Sequence, residues 1–116
     1  MKNILLIILS IFFFQFSFSQ KKELKIADKQ IKAGEYDEAL ITLTAIKNLV
    51  DNSSDDKIQA KYYYLKGMAR YQNGSGSFEN KSLSIKDFNE TKKLEEKSGS
   101  KIYSSKIADV FSNMFN

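Results

Sequence analysis

Neither histidine nor cysteine occurs among the 116 residues. Their absence rules out cysteine and histidine nucleophile systems, imidazole general bases and zinc sites of the ordinary ligand set, and with them most hydrolase designs. It also rules out disulfides, so folding must rest on apolar packing. Arginine is nearly missing too: of 18 basic residues only Arg70 is arginine. The lysines are interspersed among 14 acidic residues, in no run longer than a pair, and the net charge is +4. Such mixing is the mark of solvated helix faces, whereas a nucleic-acid surface would cluster its cations and favour arginine. No nucleic-acid partner is expected.

A membrane-spanning run is also lacking. Ile4 to Phe14 is apolar apart from Ser10, but it falls short of the roughly 20 residues that cross a bilayer. It follows a single charge at Lys2 and precedes the small residues of Ser17-Phe18-Ser19, the layout of a signal peptide cut after Ser19. A retained anchor is the competing reading. With no cysteine after the apolar run, a bacterial lipoprotein is excluded. Residues 1–19 are therefore expected to be a signal peptide, leaving an exported chain with no transmembrane segment. The Lys-, Asn-, Ile- and Phe-rich composition with its FSFSQ junction resembles exported proteins of Gram-negative bacteria such as the Bacteroidetes. That resemblance implies periplasm, cell envelope or secretion.

What the chain does contain is helical periodicity with small residues at chosen points. In residues 27–43, Ala27 is followed by Gly34, Tyr36, the acidic pair Asp37 and Glu38, Ala39, Leu40 and Leu43. Ala27 and Ala39 let two antiparallel helices approach closely. Gly34 supplies the positive φ that ends the first, and the acids suit the N-terminus of the second. The Ala27–Gly34 interval recurs at Gly67–Gly74, and Ala108 follows Gly67 at nearly the separation of Gly67 from Ala27. This pattern resembles the tetratricopeptide repeat, a helix-turn-helix unit of about 34 residues.

The resemblance implies an all-α array of antiparallel helical hairpins over residues 22–116. Repeat one covers 22–50, repeat two 56–97 with an inserted loop at 73–82, and a partial third repeat 101–115. Helices are expected at about Lys22 to Lys32, Tyr36 to Val50, Asp56 to Tyr71 and Leu83 to Glu96, with a last one within Lys101 to Phe115. Ser53 with Asp56 has the spacing of a capping box for the third helix. The Gly- and Ser-rich stretch after Asn73 predicts a surface loop with Phe78 tucked back as an anchor. Ser84 and Thr91 stand where the family usually has alanine, a departure that bears on how closely the second hairpin packs. Ser98-Gly99-Ser100 reads as a stop. Beyond it Tyr103, Ile107, Val110, Phe111 and Met114 recur at helical spacing, as an apolar stripe with no helix behind it to cap it.

Motifs that carry chemistry are weak. Ser-x-x-Lys occurs at Ser54 to Lys57 and Ser98 to Lys101, but in loops and without the companion motifs of a penicillin-binding site. Asp51-x-Ser53-x-Asp55 opens like a calcium loop, yet the required Gly falls on Asp56 and the bidentate Glu on Tyr62. Asp55 and Asp56 read instead as helix N-terminal charges. Gly74-Ser75-Gly76 lacks the Lys-Ser/Thr of a phosphate loop. Asn52, Asn73, Asn80 and Asn89 open Asn-x-Ser/Thr triplets that matter only in a eukaryotic secretory route. No catalytic residue, cofactor or metal ligand is expected.

A binding surface remains. In tetratricopeptide arrays the first helices of successive repeats line a concave groove for a peptide or protein. The resemblance places Asp28, Ile31 and Lys32, with Lys61, Tyr64, Met68, Tyr71 and Gln72, on that face. The bland alternative is that Tyr64 and Tyr71 only pack against the neighbouring repeat. The stripe of Ile107, Val110, Phe111 and Met114 is a second candidate face, including for self-association. The expectation is a non-enzymatic, exported scaffold for protein or peptide partners. Its rivals are the leading segment of a longer envelope protein and a basic binder of anionic lipid or polysaccharide.

Overall fold

A computed structural model describes residues 20–73 and 78–115. The expected signal peptide at 1–19 and the part of the inserted loop at 74–77 lie outside the described residues. Among those described, every regular element is helical and no strand occurs, so the fold class is all-α. The helices are α1 (20–32), α2 (Tyr36–Ala45), α3 (Lys47–Asp51), α4 (Asp56–Gln72), α5 (Phe78–Ser98) and α6 (Ser104–Phe115).

Each boundary has a local cause. Gly34 ends α1 at φ +80°, with the Glu35 amide donating to the Gln30 carbonyl at 2.8 Å and the Gly34 amide to that of Ile31 at 3.0 Å. This is the paired hydrogen bonding of a Schellman stop. Gly99 closes α5 in the same way at φ +76°, with the Ser100 amide donating to the Glu95 carbonyl. The single helix expected from Tyr36 to Val50 is instead broken at Ile46. Upstream of the break, Thr42 and Thr44 donate their hydroxyls to the carbonyls of Glu38 and Leu40, a back-bonding that bends helices.

Other expectations shift as well. The cap of α4 is Asp55, whose carboxylate accepts the Lys57 and Ile58 amides, while Ser53 Oγ accepts the Asp55 amide. The Ser53–Asp56 capping box does not form. Helix α5 begins at Phe78, earlier than expected, and Phe78 is 86% exposed, so it anchors nothing.

Four antiparallel pairings build the array. Helix α2 runs back along α1, with Thr42 donating to Gln30 and Gln20 to the Leu49 carbonyl. Helix α4 runs antiparallel to α2 and α3, with Asn73 donating to Asp37 at one end and Gln59 closing the Val50 carbonyl at the other. Helix α5 returns along α4, and α6 along α5. Leu24, Ala27, Ile31, Ala39, Leu43, Ile46, Val50, Tyr62, Leu65 and Ala69 form one apolar core through the first three turns of the path.

The tightest approach is between α4 and α5. A Cβ on Gly67 would stand 2.6 Å from Phe88 Cε1, inside van der Waals contact. Ser84 and Thr91 do not loosen this pair: both are fully buried, and Thr91 donates its hydroxyl across the interface to the Ala60 carbonyl at 3.2 Å. On the flank, Arg70 meets the buried Asp87 at 3.0 Å. Burial raises the Asp87 pKa, and the charges of Arg70 and Lys66 work against that rise.

The apolar stripe of α6 turns inward. Ile107 is fully buried, and Phe111 meets Phe88 edge to face at 6.0 Å between ring centres. Val110 and Met114 are half-buried and Ala108 is exposed. Ile107 and Phe111 thus pack inward, Phe111 against Phe88 of α5, while Val110 and Met114 keep part of their surface open.

Three substitutions test this packing. Gly67→Ala gains about 1 kcal/mol of helix propensity but forces a methyl into a ring boxed in by Tyr64 and Phe111. A net loss of about 1–2 kcal/mol in urea denaturation is expected, with Phe88→Leu costing less in that background than in the wild type. Tyr62 is fully buried with no partner for its hydroxyl among the described residues, and burial pushes that hydroxyl up to about 12. Tyr62→Phe should leave stability unchanged or raise it by up to about 1 kcal/mol.

Candidate functional site

On α4, Lys61, Leu65, Met68 and Gln72 follow one another at three- and four-residue intervals, so they form a single line along one face. On α1, Ile31 and Lys32 stand three and four residues after Asp28, on the same side of the helix. Because α2 is wedged behind both helices, these two lines face a common space. The structure gathers Asp28, Ile31, Lys32, Lys61, Tyr64, Met68 and Gln72 around one trough of about 430 Å³. Tyr71 does not line it: at 3.6 residues per turn it lies roughly 80° round the helix from the Lys61–Met68–Gln72 line.

The trough has lining residues beyond those the resemblance placed there. Tyr36, Leu65, Tyr103 and Lys106 also line it. Tyr103, in the turn before α6, stacks on Tyr64 with ring centres 4.5 Å apart and planes 25° from parallel. Lys106 lies over the Tyr103 ring at 5.8 Å. Tyr64 is therefore both a packing residue, tilted against Phe88, and part of the groove wall. Burial raises the Tyr64 and Tyr103 hydroxyl pKa values, and the nearby charge of Asp28 adds to the rise in each. Asp28 in turn pairs with Lys32 at 3.1 Å.

The trough continues past Asp28, Lys61 and Tyr103 into a second hollow of about 590 Å³ at the other end of α4. Leu24, Ile58 and Ala60 are buried at its lining, and Ile102, 58% exposed, stands at its edge. Lys21, Lys61 and Ile102 sit in it at the same sequence intervals as Ala27, Gly67 and Ala108. That interval was the signal by which Lys21 and Ile102 could have been found.

No family model matches the chain, and neither a curated protein nor a solved structure is found similar to it. What the groove does has to be read from its own residues. Among the described residues no cluster of three or more metal-ligating side chains converges, and no helix is long and apolar enough to cross a membrane.

The wall supplied by Tyr103 is held in place by Glu95. This carboxylate, only 1% exposed, accepts the amides of Tyr103 at 3.0 Å and Ser104 at 2.7 Å, and the hydroxyls of Ser104 and Ser100 at 2.7 and 3.1 Å. It caps α6 from the last turn of α5. Burial alone would raise its pKa, but the hydrogen bonds from Ser104, Tyr103 and Ser100 together outweigh burial and hold it below its ordinary value of 4.5.

A depressed folded pKa means the folded chain favours the ionised form more than the unfolded chain does. The resulting stability is present above pH 4.5 and is lost as the pH falls through the folded pKa. Glu95→Gln should cost about 1.5–3 kcal/mol near neutral pH and lose the low-pH slope that the wild type shows below 4.5. Urea titrations of both chains across that range provide the measurement. Equal slopes would show that Glu95 does not set it.

Proposed function

We propose that the chain is an exported, non-enzymatic interaction module of the tetratricopeptide type, holding a protein or peptide segment in the trough between α1, α4 and the turn into α6. The single observation that carries this reading is the continuity of that trough. Residues from the leading helices of two consecutive hairpins, and from the turn that opens α6, line one elongated space. Tyr and Met along it offer large contact area with adaptable shape, as recognition surfaces require. Its length suits an extended segment: α4 from Lys57 to Gln72 spans about 22 Å at 1.5 Å per residue, room for about seven residues of strand. The apolar run at residues 4–14 supports export to the periplasm or cell envelope.

Affinity capture from a bacterial envelope extract tests the proposal. Met68→Ala and Lys61→Ala, both in the trough, should reduce the captured partner about tenfold or more. Tyr71→Ala, outside it, should not. Capture that survives the first two changes in a folded chain would remove the groove from consideration.

A further inference from the structure

The second hollow has a charge imbalance that its composition hides. Lys21, Lys25, Lys57 and Lys61 surround it, and among the described residues none of the four is in an ion pair. Asp28, Asp55 and Glu95 face the same space, but each is already engaged. Asp28 pairs with Lys32, Asp55 accepts the first amides of α4, and Glu95 accepts the amides and hydroxyls that open α6. With Asp28 cancelled by Lys32, four lysines stand against the two carboxylates of Asp55 and Glu95, so the net charge at the hollow is positive. Its floor is apolar, with Leu24 and Ile58 buried and Ile102 standing exposed at the edge.

We infer that the groove's ligand is an acidic peptide segment that places one aliphatic side chain in this hollow, against Leu24, Ile58 and Ile102. Its carboxylates would lie on either side, facing Lys21, Lys25, Lys57 and Lys61. The inference rests on the groove reading above and specifies the chemistry of what binds there. An ammonium group on a long stem can follow a mobile carboxylate without fixed geometry, so lysines suit an extended chain of varied sequence. The concavity argues for a chain over a surface. A flat anionic bilayer could meet the exposed Lys21, Lys25 and Lys57 but not the recessed apolar floor of Leu24 and Ile58.

Selection of short random peptides displayed against the protein tests the inference. The enriched peptides should carry aspartate or glutamate flanking a leucine, isoleucine or methionine. Their binding should weaken about tenfold or more in Lys25→Glu/Lys61→Glu and fall as salt is raised. Lys29→Glu, an exposed lysine outside the hollow, should leave it within about twofold. Replacing the peptide's aliphatic residue by serine should weaken binding as strongly as the lysine changes do.

Enrichment of neutral or basic peptides that still depend on Met68 would overturn the acidic assignment while leaving the groove reading intact. Enriched peptides indifferent to Met68→Ala, Lys25→Glu and Lys61→Glu alike would overturn both. Sedimentation with phosphatidylglycerol vesicles closes the remaining route. Vesicle binding that is lost in Lys25→Glu/Lys61→Glu, with no acidic peptide retained, would overturn the peptide in favour of lipid.

Discussion

Phe88 occupies the space that any side chain at position 67 would need, and this contact sets how closely α4 and α5 can approach. Much of the second hairpin follows from that separation. It brings the Thr91 hydroxyl within reach of the Ala60 carbonyl and lets Arg70 meet Asp87. The same ring contacts Tyr64 on one side and Phe111 on the other, so a single buried side chain joins three helices. Tyr64 in turn carries Tyr103, which forms the far wall of the trough. The shape of the trough thus depends on a residue that does not line it.

The polar groups of the trough fall into two kinds. Its carboxylates are committed to holding the scaffold: Asp55 and Glu95 cap helices, and Asp28 is paired along α1. Most of its lysines hold nothing in place. A structural acid and a free base therefore share one space, and the sequence count of charges, nearly balanced, conceals a local excess of one sign. This separation of roles follows from helix termini: amide donors at an N-terminus demand an anion, and here acidic side chains supply it.

How far the chain could be read in advance depended on whether the cause lay nearby. Gly34 and Gly99 announce helix ends because a positive φ is a property of the residue itself. Lys61, Met68 and Gln72 were reached through the resemblance, and helical spacing does put the three on one face. The break at Ile46 was not, since threonine hydroxyls bonding backward leave the apolar pattern unchanged. Glu95 was not singled out, because its amide donors are eight and nine positions further on. The stripe on α6 was visible as a stripe, but periodicity does not say what covers it. The contact of Phe111 with Phe88 shows α5 covering part of it. Tyr103 was seen as part of that stripe, and its stacking on Tyr64 instead belongs to the groove.

The Glu95 carboxylate belongs to α5, yet the groups it grips belong to the turn that carries Tyr103. The two are geared together. A roll of α5 about its own axis would swing the tyrosine like a lever and change the aperture of the trough. A ligand wedged into that aperture would be felt along α5 as torque, transmitted as far as the ring of Phe88. Any clamp on α5 would, by the same linkage, fix how wide the trough can open.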